Sequence, residues 1–441
     1  MNLRRTPPKE RDRSVTTAGA TGTAWAAPCV AALAFSTLAA CGSPSAPSEQ
    51  RASGAETIVR WNETLLGIAE EEDGFLTLKG VRAAAMMHSA MLTSLSTGGG
   101  EKAAVAAAHA VALHEYPGQA SRFAHLLGEE LSPEATVGRD IGAKVVASRD
   151  DDGWDAESEY RFHPMAPGVY AEFDEHSGTP KGFVFGSGWA RARPFVLASP
   201  DALRAPPPPE TTSTAYAEAF REVKELGAQQ SDRRTQDQKH LALWWKDFAE
   251  RSHNRLARQL ALDESLDLQA AARLFAQLNV AIFDAYVSAF DNKFHYNHWR
   301  PYTAVRWADH DGNDATIADL EWTNLHDHTY AFPSYPSAHG TACTAAMTVL
   351  AGTFGEAFAF TMTTEEVDSA GPLSEKIAMS PPTRQFSSFD EAALECSLSR
   401  VYLGIHFRYD SLAGHELGAA VGEAVLAGEL RFGARSTYAG P

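Results

Sequence analysis

The sequence predicts an all-α fold, a single large helical bundle interrupted by one long irregular insertion. Three observations carry this. From residue 56 onward most of the chain repeats apolar residues at three- and four-residue spacing, the period of a helix with one buried face. The stretch 160–210 breaks that texture with Gly, Pro and aromatic residues, as in Pro167-Gly168-Val169-Tyr170, Gly182-Phe183-Val184-Phe185-Gly186 and the proline run 206–209. The 441 residues are 44% apolar and 21% charged, a globular composition that can bury a sizeable core. One domain over 56–436 fits this pattern better than two.

Taken in order, residues 1–41 read as an export address. Arg4, Arg5, Lys9, Arg11 and Arg13 precede a charge-free, Ala-rich stretch over 21–40. A basic start, an apolar middle and small residues at the cut describe a secretory signal. The ending Leu38-Ala39-Ala40-Cys41 resembles a bacterial lipobox, which implies lipidation of Cys41 and a membrane-tethered lipoprotein facing the periplasm or the cell exterior. Residues 42–55, rich in Ser, Pro and Ala, read as a flexible tether. Helical periodicity then covers 58–69, 81–95 and 101–114, and resumes after the insertion at 215–226, 238–262 and 266–290. It returns after His339, Asp390 and Asp410. The most apolar later segment, 341–355, is too short to span a bilayer, so the only expected membrane contact is the N-terminal lipid.

Acidic residues outnumber basic ones 56 to 38, a formal charge of −18 that argues against a nucleic-acid partner or an anionic membrane surface. Four cysteines exclude a disulfide scaffold. Cys343 lies one turn after His339 and Cys396 one turn before Arg400, so a disulfide and two buried thiols both remain open. His326-Asp327-His328 offers two imidazoles to a divalent ion, but no further ligands are spaced to complete a shell. Oligomeric state, a homo-oligomer included, is left open.

Chemistry-bearing residues concentrate in three separated segments. The first runs from Lys293 to Arg300-Pro301; seven residues make two helical turns, so both cations are expected on one helix face that Pro301 ends. The second is Tyr335-Pro336-Ser337-Ala338-His339-Gly340, where Ser337 sits as an N-cap ahead of a helix whose free N–H groups suit an anion. The third is Ser399-Arg400 followed by His406 and Asp410, which are one turn apart and in reach of a carboxylate–imidazole hydrogen bond; Gly404 offers a break that lets Arg400 and His406 face one pocket. Each segment alone has a bland explanation: dipole-complementing cations, an ordinary helix start, a structural His–Asp pair. Together they form a cationic cup in an acidic protein, and crowded cations call for a neutralising oxyanion.

The pattern Lys-x6-Arg-Pro, Pro-Ser-Gly-His, Ser-Arg-x5-His-x3-Asp resembles that of the vanadium-dependent haloperoxidases and type 2 phosphatidic acid phosphatases. Ten fixed positions match here: Lys293, Arg300, Pro301, Pro336, Ser337, His339, Ser399, Arg400, His406 and Asp410. Ala338 stands where the family has Gly. Trp61-Asn62-Glu63, His163 to Gly168, Arg233 to Gln238, Asp311-Gly312-Asn313 and Gly404 to Arg408 also look like bacterial members, extending the resemblance over about 56–430.

The resemblance implies a large helical bundle of the haloperoxidase and acid phosphatase type with the site at its core. It implies vanadate(V) as cofactor, with neither haem nor flavin, and hydrogen peroxide, halide and an organic acceptor as partners. His406 would bind the vanadium; Lys293, Arg300, Arg400, Ser337 and the Ala338 N–H would hold its oxygens; His339 would be the acid/base and Asp410 would orient His406. Phe332 lies where chloride-oxidising relatives tend to carry Phe. The expected activity is oxidation of halide to hypohalous acid. Two alternatives stand beside it: a soluble acid phosphatase working through a phosphohistidine in the same pocket, and a non-catalytic oxyanion-binding lipoprotein in which Ala338 marks lost activity.

Overall fold

A computed structural model describes residues 54–74, 77–128, 132–157, 159–171 and 182–428. The export segment 1–41 with Cys41, the tether up to residue 53 and the last residues of the expected domain lie outside the described residues. Thirteen α-helices occur among them: α1 (Ala55–Asp73), α2 (Lys79–Ser96), α3 (Gly100–Glu115), α4 (Ala120–Leu127), α5 (Pro133–Ser148), α6 (Thr214–Leu226), α7 (Gln236–Trp244), α8 (Ala249–Asp263), α9 (Leu268–Tyr296), α10 (Pro301–Arg306), α11 (Ala338–Phe354), α12 (Phe389–Tyr402) and α13 (Arg408–Ala427). The fold is therefore all-α, as the periodicity predicts. Two antiparallel ladders, β1 (Phe360–Thr363) with β4 (Thr383–Phe386) and β2 (Glu366–Asp368) with β3 (Lys376–Ala378), fill the connection from α11 to α12. No described helix is long and apolar enough to cross a membrane.

The long helix α9 is the axis. Asp267 caps it by accepting from the Ala270 N–H, and almost every side chain from Ala271 to Phe290 is buried. A helix apolar all round must be enclosed on all sides, and α1, α2, α8, α11 and α13 all pack on it. Polar residues interrupt its apolar surface every fourth position. The Asp284 carboxylate accepts from the N–H groups of Phe195, Val196 and Leu197, and Asn292 bonds both Ala205 N–H and Leu203 carbonyl. The irregular insertion is thus stitched along α9, its backbone groups satisfied by helix side chains where no regular partner exists.

The periodic run 238–262 is two helices. The chain leaves α7 at Trp245 and re-enters a helix at Ala249, which turns the Trp245 carbonyl and Lys246 inward. Between α12 and α13 the chain turns at Gly404, with φ 82°. A Cβ there would lie 2.3 Å from the Gly227 carbonyl oxygen and 2.6 Å from Asn324 Cβ. Gly404→Ala is therefore expected to destabilise the fold by roughly 2–4 kcal/mol, combining a left-handed backbone with an overpacked contact. The check is a denaturant midpoint that falls clearly below that of the parent chain.

Candidate functional site

The three motif segments converge, and direct hydrogen bonds pin them pairwise. Lys293 Nζ, buried near the end of α9, donates to the carbonyls of Pro333, Ser334 and Pro336 at 3.0, 2.7 and 2.6 Å. The Ser337 N–H donates to the Asp410 carbonyl at 2.9 Å. Arg300 reaches both other segments, with Nε on the Phe332 carbonyl at 2.8 Å and Nη1 on the Ile405 carbonyl at 3.0 Å and His406 Nε2 at 3.2 Å.

One expected arrangement differs. Lys293 and Arg300 do not share a helix face: α9 stops at Tyr296, Asn297 turns left-handed with φ 49°, and Arg300 is the extended residue before Pro301 at the start of α10. Proline at that first helical position disfavours helical geometry in the residue before it, so Arg300 becomes a cap instead of a continuation. The two cations instead meet over the Phe332 ring, whose centroid lies 4.6 Å from the Arg300 guanidinium carbon and 5.3 Å from Lys293 Nζ.

Ser337 is the N-cap of α11, its Oγ accepting from the Gly340 N–H at 3.2 Å. That leaves its hydroxyl hydrogen available to donate, while the Ala338 N–H, at the first helical position, has no carbonyl of a preceding turn to meet. His339 follows in the same turn. The disulfide Cys343–Cys396 joins α11 to α12 and so fixes His339 relative to Arg400. Among the described residues the grouping of potential metal ligands is His339, Cys343 and Cys396, and the disulfide already occupies both sulfurs.

His406 lies in the turn before α13. Its Nδ1 donates to Asp410 Oδ2 at 3.0 Å, and the same oxygen accepts from the Phe407 N–H at 3.1 Å. The pairing expected from one helical turn is thus made by a helix start: Asp410 caps α13 and holds the imidazole outside the helix. With the proton on Nδ1, Nε2 is the lone-pair nitrogen, consistent with the N–H it accepts from Arg300.

His339, Ala338, Arg400 and His406 form one end of a cavity of about 510 Å³, with Phe332 on its side wall. Arg400 Nη1 donates to the Trp245 carbonyl at 3.2 Å, while its buried Nε and the buried Nε2 of His339 have no protein partner. Burial pushes the His406 and His339 pKa values well below 6.5, reinforced at His406 by Arg300 and Lys293 and at His339 by Arg400. Burial and Arg300 also lower Lys293, against the opposing pull of Asp410. Every one of these shifts disfavours added positive charge, so a bound anion would relieve them.

Several contributors carry no signal in the sequence motifs. Lys246, at the break between α7 and α8, and Glu250, hydrogen-bonded to Tyr286 at 2.7 Å, line the same cavity, as do Phe185 and Trp189 of the insertion. The insertion therefore does form part of the pocket wall. His326 and His328 stay near one another but gain no third metal ligand among the described residues.

Comparison with known proteins agrees with this geometry. Residues 273–432, which hold all three motif segments, match the family described as VCPO second helical-bundle domain. The vanadium chloroperoxidase of Curvularia inaequalis is 26% identical over 275 residues, covering 50% of this chain and 44% of that protein, so the match spans less than half of its length. In fold, a bacterial vanadium-dependent iodoperoxidase superposes with a TM-score of 0.66 at 21% identity, over 85% of this chain and 96% of its own. An apo-type bacterial vanadium-dependent chloroperoxidase superposes at 0.60 and 15% identity, over 80% and 94% respectively. With the three motifs assembled in this way, residues 273–432 match a VCPO-type second helical-bundle domain and the chain carries the fold of the vanadium haloperoxidases.

Proposed function

We propose that this protein is a vanadate-dependent haloperoxidase that oxidises halide with hydrogen peroxide to hypohalous acid. The observation that carries the reading is the cationic cup, in which Arg400 and His339 line the cavity and the buried Arg400 Nε and His339 Nε2 have no protein partner. Those orphaned atoms, a lone-pair nitrogen on His406 and a helix N-terminus fit a tetrahedral oxyanion with one open position. When bound, vanadate(V) supplies a Lewis-acidic centre that activates peroxide towards halide at constant oxidation state.

The residues divide the work as follows. His406 Nε2 would ligate the metal, with Arg300 Nη1 passing from that nitrogen to an oxyanion oxygen. Arg400, the Ser337 hydroxyl and the Ala338 N–H would hold further oxygens. Lys293 contributes charge and holds the loop ahead of Ser337 through its three carbonyl contacts. His339, kept neutral, can take a proton at Nε2 and return it. Ala338 lines the cavity. Phe332, lying over both cations, is the halide-side wall, and its apolar ring favours a chloroperoxidase-like pocket. The exported, Cys41-lipidated location belongs to the same proposal and rests on residues 1–41 alone.

The test incubates the full-length protein with vanadate, peroxide, bromide or chloride and a halogen acceptor, and separately with a phosphomonoester. Vanadate-dependent halogenation is expected. Phosphate release inhibited by vanadate would instead make His406 the nucleophile of a phosphomonoesterase, and oxyanion binding without either activity would leave a binding protein. Asp410→Asn is expected to weaken vanadate affinity about 10- to 100-fold, since it removes the carboxylate that fixes the His406 tautomer. Titration of the variant followed by vanadium NMR checks this.

A further inference from the structure

Hydrogen peroxide and a halide are each about the size of a water molecule, whose share of the liquid is roughly 30 Å³. The cavity of about 510 Å³ is far larger than they need, and lies in the range of small-molecule sites. Beyond the oxyanion cup its wall is a continuous aromatic surface. Trp189 lies 5.0 Å from Phe185 and 4.7 Å from Phe290, and Phe290 lies 5.1 Å from Phe332, centroid to centroid. Beside Trp189, at 6.1 Å, stands Tyr286, whose hydroxyl donates to the buried carboxylate of Glu250 at 2.7 Å. Neither Glu250 nor Tyr286 has a role in holding the oxyanion.

We propose that this chamber is an acceptor site for an electron-rich phenol, its ring packed on Trp189 and Phe290 and its hydroxyl donating to Glu250. The proposal rests on the haloperoxidase reading and names the substrate class for it. Aromatic faces select a planar ring, and the Glu250–Tyr286 pair selects one that carries a hydrogen-bond donor. An anionic head group in place of the hydroxyl would be repelled by Glu250. Burial holds the Glu250 pKa up at about 7, so its carboxyl group accepts a phenolic proton more readily than an exposed one would. In the bound complex the π pair of a ring carbon forms the carbon–halogen bond as the oxygen–halogen bond of hypohalous acid breaks. The oxygen leaves with the pair of the broken oxygen–halogen bond as hydroxide and takes up the displaced ring proton, giving water.

The test measures binding of para-cresol to the vanadate-free full-length protein by calorimetry, with toluene as the ring lacking a hydroxyl. Cresol is expected to bind more tightly than toluene. Trp189→Ala should weaken cresol at least about tenfold and Trp189→Phe should restore most of it. Glu250→Gln should reduce the preference for cresol over toluene, with folding of each variant followed by circular dichroism. No cresol binding, or binding that neither Trp189→Ala nor Glu250→Gln changes, overturns the site while leaving halide oxidation to its own assay. Cresol binding in a protein that oxidises no halide overturns the acceptor role and, separately, the function proposed above.

Discussion

Replacing His406 by alanine is expected to abolish vanadate binding and with it all vanadate-dependent halogenation. Nε2 of His406 faces the cup as a neutral nitrogen with its lone pair, because Asp410 fixes the proton on Nδ1. The surrounding Arg300, Arg400 and Lys293 attract an oxyanion but cannot bond to a metal centre, since a guanidinium or ammonium has no lone pair. Loss of a direct ligand should exceed the 10- to 100-fold penalty usual for an outer-shell partner, so affinity is expected to fall by more than about 100-fold. Asp410 keeps the Phe407 N–H and its neighbouring cations, which limits the stability loss to about 1–3 kcal/mol. Vanadium NMR of the folded variant should show free orthovanadate alone; an unchanged bound signal would remove His406 from its assigned place.

His339→Ala is expected to separate chemistry from binding. Its Nε2 has no protein partner, so truncation leaves no group orphaned on that side, and vanadate affinity should change by less than about tenfold. The turnover number should fall by about 10²- to 10⁴-fold, the usual contribution of a positioned acid/base. The pH profile carries the same assignment. Burial and Arg400 lower the His339 pKa well below 6.5, so the imidazole remains a neutral base as pH falls through the range in which an exposed histidine would protonate. The acidic limb of kcat/KM, which reports the free enzyme, should therefore lie below pH 6.5 and vanish in the variant. Retention of more than a third of the turnover would contradict the role.

Much of the site was legible because its residues are tied to local backbone features. Ser337 reads as a cap and Gly404 as a break, and each occupies that position, whereas Pro301, read as the end of a helix, is the first residue of α10. The face-sharing of Lys293 and Arg300 failed because seven residues predict a shared face only if the helix continues. Asn297, a residue that tolerates left-handed backbone, ends it first. The polar row Asp284, Ser288, Asn292 on an otherwise apolar helix was the available sign that an irregular segment would lie against α9. Lys246 and Glu250 were hidden because the break between α7 and α8 falls inside a continuous helical pattern, and only the tertiary pull of Arg400 and the strand connection on that break reveals it. The Cys343–Cys396 bridge depended on two helices meeting, which spacing alone leaves undecided.

The most direct measurement is a crystal structure of the protein grown with orthovanadate. The account predicts vanadium bonded to His406 Nε2, with its oxygens on Arg300, Arg400, Ser337 and the Ala338 N–H and with His339 facing the remaining position. Vanadate found elsewhere, or a cup in which His406 Nε2 still accepts from Arg300 while vanadate is bound, would contradict it.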